Sequence, residues 1–124
     1  MILGVGIDIV DVKRMGERLN SNTGLKEKIF STGEIEFCDP KPQADQHYAA
    51  RFAAKEAFLK AAGGGLTLGY ELHEIEVISN EEGKPSLKLS GNFAILAAQN
   101  GWNKIHVSLT HIATTACAVV ILEQ

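Results

Sequence analysis

The chain has 124 residues, 45% of them hydrophobic and 22% charged, with a formal net charge of −3. A chain of this size and composition forms one globular domain with its own core, which excludes a disordered protein. The acidic balance argues against nucleic-acid binding, and the lack of an apolar run of about 18 residues argues against a membrane span. No basic leader precedes the apolar N-terminus, and the only cysteines are Cys38 and Cys117. We therefore expect a cytoplasmic protein with reduced thiols.

The first third of the chain predicts one strand followed by two short helices. A run rich in β-branched residues predicts a buried strand over residues 2–10. Apolar residues at helical spacing then predict an amphipathic helix over 11–20. Its inward residues are Val12, Met15 and Leu19. Ser31 and Glu34 have the spacing of a capping box, which predicts a second helix near 33–38.

The rest of the chain predicts one long helix, a hairpin, a shorter helix and two closing strands. An alanine-rich segment predicts the longest helix over 43–62, ended by the glycines that follow it. The later elements are a strand over 73–79, a return strand containing Leu87 and Leu89, a helix over 92–100, and strands over 104–109 and 114–122. The fold class is α+β: a single compact domain, 1–124, with a small, mainly antiparallel sheet packed by one long and several short helices.

Two carboxylates stand where a charge is unfavourable. Asp8 interrupts the apolar strand, and Glu56 lies between Phe52 and Leu59 on an apolar face of the long helix. One interpretation is structural: Asp8 is a turn residue or helix N-cap, and Glu56 forms an ion pair with Lys60 one turn later. The other is that Asp8 and Glu56 together hold a hard divalent cation such as Mg²⁺, which takes one or two carboxylates and otherwise water and phosphate oxygens.

A phosphate site is a second possibility in the same region. Lys60 supplies a cation, and the glycines at 63–65 supply a backbone that a phosphate can approach, although a triple glycine also serves as a plain helix stop. The four histidines lack metal-binding spacing. His106 alternates with polar residues on a strand and is expected to face solvent. His111 lies in the turn between the last two strands and is better placed to contact a ligand.

These segments together resemble the small holo-acyl-carrier-protein synthase type of 4'-phosphopantetheinyl transferase. The resemblance covers nearly the whole chain. Its motifs are residues 4–10 (GVGIDIV), 51–61 (RFAAKEAFLKA), 83–85 (GKP) and 107–111 (VSLTH). The first two, in this order and at about this distance, are the specific ones. One departure is residues 62–65 (AGGG), where many relatives have a phenylalanine followed by Gly-Thr-Gly.

The resemblance implies an enzyme that moves the phosphopantetheine arm of coenzyme A to a serine of an apo-carrier protein and releases adenosine 3',5'-bisphosphate. It implies that Asp8 and Glu56 bind Mg²⁺ and that Lys60 contacts the diphosphate. Glu56 and Lys60 are the expected catalytic residues, with Glu56 taking the serine proton directly or through a water. Arg51 and His111 belong to the 3'-phosphoadenosine end in this interpretation. The other expected coenzyme A contacts are Gly63, Gly64, Gly65, Lys84 and Pro85.

The same resemblance implies partners. A basic face of the first helix is expected to dock an acidic acyl carrier protein, and its residues are Lys13, Arg14 and Arg18. The family's small members imply a homotrimer with active sites between subunits. The carrier would serve fatty acid biosynthesis, a polyketide system or both. Three rivals remain open: a coenzyme A-binding module without catalysis, a metal-dependent phosphohydrolase, and a purely structural role for Asp8, Glu56 and Lys60.

Overall fold

The computed structural model describes residues 1–63 and 71–124, so Gly64 and Gly65 lie outside the described residues. Within those ranges the chain forms five α-helices, five strands and one 3₁₀ turn. In chain order they are β1 (Ile2–Asp11), α1 (Val12–Ser21), α2 (Leu25–Ile29), α3 (Thr32–Cys38), α4 (Ala44–Ala62), the 3₁₀ turn (Leu72–Glu74), β2 (Ile75–Ser79), β3 (Pro85–Leu89), α5 (Gly91–Asn100), β4 (Lys104–His111) and β5 (Thr115–Glu123).

Two antiparallel sheets confirm the predicted α+β class. One sheet has three strands in the order β1-β5-β4, and the other is the β2-β3 hairpin. The predicted elements are all present, with ends that differ by one or two residues. The sequence did not predict α2 or the 3₁₀ turn. They have five and three residues, too few to show a hydrophobic period.

The long helix α4 runs across the three-stranded sheet and lies at the centre of the fold. It has 19 residues, most of them buried on several sides rather than along one apolar stripe. Its small side chains Ala53 and Ala57 are fully buried, and Phe58 packs edge-on against Phe93 and Trp102. Among the described residues, no helix combines the length and apolar character that a membrane crossing requires.

Strand β1 approaches α4 so closely that only glycine fits at two of its positions. A Cβ atom on Gly4 would collide with the carbonyl oxygen of Ala61, and one on Gly6 with that of Ala57. Because side chains alternate along a strand, Asp8 points to the same side as these two glycines. The Gly-x-Gly-x-Asp spacing thus brings strand and helix together and places a carboxylate beside α4.

The other side of β1 contradicts the prediction of a buried strand. Val5, Ile7 and Ile9 are 59%, 62% and 70% exposed. In the antiparallel register Ile7 lies opposite Val119, and Val5 lies opposite Ile121, so β5 adds its apolar side chains to the same face. The three-stranded sheet therefore has one face covered by α4 and one apolar face that the described residues leave open.

Candidate active site

An open cavity of about 570 Å³ lies where β1, α1 and α4 meet. Asp8 and Glu56 line it together with Arg14, Arg18 and Phe52. Helix α1 follows β1 without a linker, which fixes its basic side chains beside the strand. The fold thus brings both predicted metal ligands and two of the three predicted docking residues to one cavity.

The N-cap of α1 is not Asp8. Asp11 holds that position, and its Oδ1 accepts a hydrogen bond from the backbone N–H of Arg14 at 2.8 Å. The structural interpretation of Asp8 as a cap is therefore wrong. Asp8 sits three residues earlier, in the middle of hydrogen-bonded strand, where a carboxylate contributes nothing to strand formation.

Lys60 forms its ion pair with Asp8 rather than with Glu56. Its Nζ donates to Asp8 Oδ1 at 3.0 Å and to the carbonyl oxygen of Ile7 at 3.1 Å. The Asp8 side chain is 16% exposed and that of Lys60 is 57% exposed. The predicted Glu56–Lys60 pair within α4 is thus wrong. The lysine instead bridges from the helix to the strand, with its ammonium group at the surface.

Glu56 is half-buried beside Asp8, and its charge is unfavourable there. Burial raises the pKa of Glu56 above its ordinary value, and the neighbouring Asp8 carboxylate raises it further. The positive charges of Lys60 and Arg18 act in the opposite direction but are smaller causes. The fold therefore holds two carboxylates close enough to repel, which is a cost that a bound cation would relieve.

The two carboxylates of the cavity are the kind of ligand that a magnesium ion takes from a protein. Mg²⁺ keeps most of its water and phosphate ligands and takes only one or two carboxylates from a protein. Asp8 and Glu56 are two such carboxylates. Across residues 1–63 and 71–124, no group of three or more His, Cys, Asp or Glu side chains could enclose a metal ion. The described residues thus provide an open two-carboxylate site and no closed cage.

A set of cationic and aromatic side chains lies around Arg51, on another side of α4. Arg51 is only 4% exposed, and its guanidinium carbon lies 4.1 Å from the centre of the Phe37 ring. The Nε atom of Arg51 is buried and has no hydrogen-bond partner in the described part of the chain. Lys41 Nζ lies over the same ring at 4.5 Å. The cationic groups of Lys41 and Arg51 thus both lie over the Phe37 ring, and the Nε donor of Arg51 is unpaired among the described residues.

Two histidines complete this group. The His47 ring centre lies 5.7 Å from that of Phe37 and 5.9 Å from that of His111. His47 precedes Arg51 by one helical turn, and His111 comes from the end of β4. The structure thus joins the two predicted nucleotide contacts, Arg51 and His111, through His47 and Phe37. We call Phe37, Lys41, His47, Arg51 and His111 the cationic cluster.

The cationic cluster and the carboxylate cavity do not face the same way. Arg51 and Glu56 are five residues apart on α4, which separates them by about 140° around the helix and about 7.5 Å along it. His111 contacts His47 of this cluster and does not line the cavity that holds Asp8. The two halves of the predicted coenzyme A site lie on different sides of the same helix.

The remaining predicted residues lie at the ends of other elements. Gly63 caps α4 with a φ of 107°, a value that favours glycine, so the predicted helix stop is confirmed there. Lys84 is exposed in the β2-β3 turn, where Asn80 Oδ1 accepts its backbone N–H at 2.9 Å. Pro85 opens β3. Lys13 is exposed on α1 but does not line the cavity.

The sequence missed a buried ion pair between α4 and α3. Lys55 Nζ donates to Glu34 Oε1 at 2.8 Å and to the carbonyl oxygens of Leu72 and Ile75, and both charged side chains are fully buried. The second oxygen of Glu34 accepts the backbone N–H of Val77 at 2.9 Å. Burial lowers the pKa of Lys55, and the Glu34 charge opposes that shift. The alanines around Lys55 were an available signal, since small neighbours leave room for a buried lysine stem.

The members of the cationic cluster other than Arg51 and His111 were also missed. Phe37 and Lys41 come from α3 and the loop after it, and no spacing connects them to α4. His47 carried a weak signal, because four residues separate it from Arg51 and so place both on one helix face. Ring contacts between three elements are a tertiary property that a local pattern does not contain.

Comparisons with known proteins agree with this geometry. The family model of the 4'-phosphopantetheinyl transferase superfamily matches residues 4–120. The holo-[acyl-carrier-protein] synthase of Geobacter sulfurreducens is 46% identical over 125 aligned positions, which cover 100% of this chain and 99% of that protein. The protein of the same name from Geobacter metallireducens is 48% identical over the same length and shares of the two chains.

Solved structures show the same fold. A holo-[acyl-carrier-protein] synthase from Neisseria meningitidis superposes with a TM-score of 0.88 at 30% identity, covering 100% of both chains. A holo-(acyl-carrier-protein) synthase from Bacillus anthracis, in complex with CoA (3',5'-ADP), superposes with a TM-score of 0.79 at 31% identity, covering 98% of this chain and 96% of that one. On the family match and these relatives, the chain belongs to the 4'-phosphopantetheinyl transferase superfamily.

Proposed function

We propose that this chain transfers the 4'-phosphopantetheine group of coenzyme A to a serine of apo-acyl carrier protein, giving holo-acyl carrier protein and adenosine 3',5'-bisphosphate. The observation that carries the proposal is the cavity in which Asp8 and Glu56 face each other beside Lys60, in a member of this superfamily. The whole of residues 1–124 acts as one transferase domain in this proposal.

Lys60 binds the diphosphate of coenzyme A. Its ammonium group is exposed and, among the described residues, is held by Asp8 and one backbone oxygen, so a phosphate oxygen can become an additional acceptor. When the serine attacks the β-phosphorus, negative charge grows on the leaving phosphate. A fixed positive charge beside those oxygens stabilises the transition state more than the ground state.

Asp8 and Glu56 are the residues that would hold Mg²⁺. The repulsion between the two carboxylates and the chemistry of the donor set support this assignment. When bound, the ion neutralises charge on the diphosphate oxygens, which is worth several kcal/mol in such reactions. Strand β1 carries Asp8 and helix α4 carries Glu56. The close contact between them at Gly6 keeps both carboxylates in place.

Glu56 accepts the proton of the attacking serine, directly or through one water. Burial and the Asp8 charge raise the pKa of Glu56, and a carboxylate with a raised pKa is a stronger base at neutral pH. A positioned base of this kind contributes about 10²–10⁴-fold to a rate. The transfer rate of the wild-type chain should therefore fall when the pH is low enough to protonate Glu56, at a pH that bound Mg²⁺ shifts downward.

The basic side chains of α1 dock the acyl carrier protein. Arg14 and Arg18 line the mouth of the cavity, while Val12 and Met15 anchor the opposite side of the helix in the core. A carrier that is acidic around its serine would meet complementary charge next to Glu56. Lys13 lies at the edge of this surface. Such complementarity acts mostly on the association rate and weakens with salt.

The nucleotide end of coenzyme A binds at the cationic cluster of a neighbouring subunit in a homotrimer. Two observations support this. Arg51 and His111 contact Phe37 and His47, respectively, and do not line the Asp8–Glu56 cavity, so one chain offers two separate half-sites. The open apolar sheet face around Ile7 has the character of a subunit interface. The Lys84-Pro85 turn and the glycines at 63–65 would add further nucleotide contacts.

A cytoplasmic location and a role in fatty acid biosynthesis complete the proposal. Cys38 and Cys117 are both free thiols, as a reducing compartment requires. A polyketide carrier remains an alternative partner with the same chemistry. Neither nucleic acid nor a membrane is a proposed partner.

The direct test is the intact mass of apo-acyl carrier protein after incubation with this chain, coenzyme A and Mg²⁺. A gain of one phosphopantetheine group that a chelator abolishes would support both the transfer and its metal dependence. A gain that survives the chelator would contradict the metal proposal only. Adenosine bisphosphate released without any carrier would favour the phosphohydrolase, and coenzyme A bound without mass gain would favour a binding module.

The shared site is tested by mixing two inactive variants. Glu56→Gln removes the cavity half and His111→Ala the cluster half, so mixed oligomers should regain activity at sites that combine the two intact halves. Light scattering should give three chains per particle, and Ile7→Lys should reduce this number. Ile95→Lys is the matched control, because Ile95 is a 56% exposed isoleucine on α5, away from the sheet face. Mixed oligomers without activity would contradict the shared site.

A further inference from the structure

His47 lies in the middle of the cationic cluster without an assigned role. Its half-buried ring contacts Phe37 of α3 on one side and His111 of β4 on the other, at ring-centre distances of 5.7 and 5.9 Å. The charged or titratable groups that act on it come from three elements: Lys41 in the loop before α4, Arg51 one turn later on α4, and His111 at the end of β4. All three are cationic or can become so.

This setting favours the neutral form of the imidazole in the free chain. Burial lowers the pKa of His47, and the charges of Arg51, His111 and Lys41 lower it further. Burial is the largest cause and the other three are positive charges, so an anion bound among those charges would oppose their effect and raise the pKa of His47. Arg51 also has a buried Nε donor that no described residue pairs with, which is an independent sign that an acceptor belongs in this cluster.

We propose that His47 takes up a proton when a phosphate monoester binds among Lys41, Arg51 and His111, so that binding of the 3'-phosphate of coenzyme A is coupled to pH. This inference rests on the proposed function, which places the 3'-phosphoadenosine end at this cluster. The proton comes from solvent and moves to the imidazole as the dianion binds. It returns to solvent when the adenosine bisphosphate product leaves. No covalent bond changes.

The consequence is a site that prefers a 3'-phosphorylated nucleotide more strongly at lower pH. By linkage, uptake of one whole proton changes the affinity by about tenfold per pH unit. The second proton of the phosphate itself, with a pKa of about 6, gives a pH dependence of the opposite sign. That contribution belongs to the ligand and is common to all variants, so the comparison between variants isolates His47.

The matched variants are His47→Phe and His73→Gln. Phenylalanine at position 47 keeps an aromatic ring against Phe37 and His111 but cannot bind a proton. His73 lies in the 3₁₀ turn, outside the cationic cluster, and serves as a control for the loss of a histidine. His47→Gln is a second variant that remains informative if phenylalanine packs poorly. Thermal unfolding checks that each variant folds.

The experiment is titration calorimetry of adenosine 3',5'-bisphosphate, with 5'-AMP as the ligand that lacks the 3'-phosphate. Proton uptake is measured from buffers of different ionisation enthalpy at about pH 7, where an ordinary histidine is partly protonated. We expect uptake with the bisphosphate in the wild type and in His73→Gln, and less in His47→Phe. The affinities of wild type and His47→Phe should converge near pH 8 and differ by about fivefold or more near pH 6.

Each of the following results would contradict the proposed role of His47. Equal proton uptake and equal pH slopes in wild type, His47→Phe and His47→Gln would overturn the inference and assign any coupling to His111. If His47→Phe kept the wild-type pH slope of affinity while His47→Gln lost it, the role of His47 would be ring packing alone. Absence of bisphosphate binding in every form would overturn the nucleotide site of the proposed function together with this inference. Intact transfer with unchanged slopes would reject only the role of His47.

Discussion

Two neighbouring residues of α4 show how the same helix serves two purposes. Lys55 points into the interior, where its ammonium group is fully buried and hydrogen-bonded to Glu34 and two backbone oxygens. Glu56 points to the cavity, where it is half-buried and faces the like charge of Asp8. The first charge is satisfied by the fold. The second charge is unfavourable in the free chain, and a bound cation would stabilise it.

The ion pairs formed by Lys55 and by Lys60 differ in the same way. Lys55 and Glu34 pair at 2.8 Å with both side chains fully buried, whereas Lys60 and Asp8 pair at 3.0 Å with the lysine 57% exposed. Removing one partner of a buried pair leaves an uncompensated charge, but an exposed pair contributes little to stability. The comparison teaches that the buried pair, Lys55–Glu34, is separate from the exposed pair, Lys60–Asp8, for which a role in the reaction is proposed.

The largest expected effect is on stability, from Lys55→Met. The substitution leaves the Glu34 carboxylate buried with only backbone N–H donors, which should cost about 3–5 kcal/mol. Denaturant unfolding followed by circular dichroism measures the loss. The control is Lys55→Met combined with Glu34→Gln, which removes the stranded charge and should recover part of the stability. A single variant as stable as the wild type would show that the buried pair does not matter for the fold.

The next effect is on rate, from Lys60→Ala. Loss of a positive charge beside the diphosphate should slow transfer by about 100-fold. Because its ion pair is exposed, the free energy of unfolding should change by less than about 1 kcal/mol. The rate is measured from the mass gain of the carrier under single-turnover conditions. Lys60→Arg keeps the charge and should retain part of the activity. If alanine reduced stability strongly and rate only in proportion, Lys60 would belong with Lys55.

The smallest effect is on carrier binding, from reversing the charges of Arg14 and Arg18 to glutamate. We expect the KM for apo-acyl carrier protein to rise by about tenfold or more at low salt, with a smaller difference at high salt, because the interaction is electrostatic and exposed. The kcat and the KM for coenzyme A should change much less. Lys28→Glu, on the exposed side of α2, is the matched charge reversal. An unchanged carrier KM would place docking elsewhere.

The sequence predicted local structure well where a local interaction determines it. The Ser31–Glu34 capping box is present as predicted, with both reciprocal hydrogen bonds. That Glu34 also receives Lys55 could not be read from the pattern, because the two residues are 21 positions apart. Likewise, the apolar residues of β1 predicted burial on both faces. Burial of the outer face depends on what lies against the sheet, which periodicity does not specify.

The sequence predicted which residues form the candidate site better than it predicted the contacts between them. The misplaced charges of Asp8 and Glu56 were visible in the sequence, and the motif resemblance grouped them with Lys60. The cross-strand pair between Lys60 and Asp8 was not predicted, because local spacing favours a partner four residues away on the same helix. The position of His47 between two rings arises from three separate elements, so only the fold reveals it.

The division of roles on α4 is the central claim, and Glu56→Gln tests it most directly. Folding raises the pKa of Glu56, so the native chain holds this proton more tightly than the unfolded chain. Ionisation therefore costs stability as the pH rises from the unfolded to the folded pKa of this group. Glutamine removes that cost and also removes the base.

Transfer rate and unfolding midpoint should be measured on the same preparation of Glu56→Gln at neutral pH. The account predicts a rate lower by about 100-fold or more and a midpoint that is unchanged or raised by up to about 3 °C. A variant that transfers at the wild-type rate, or one that loses stability as Lys55→Met is expected to, would contradict the account.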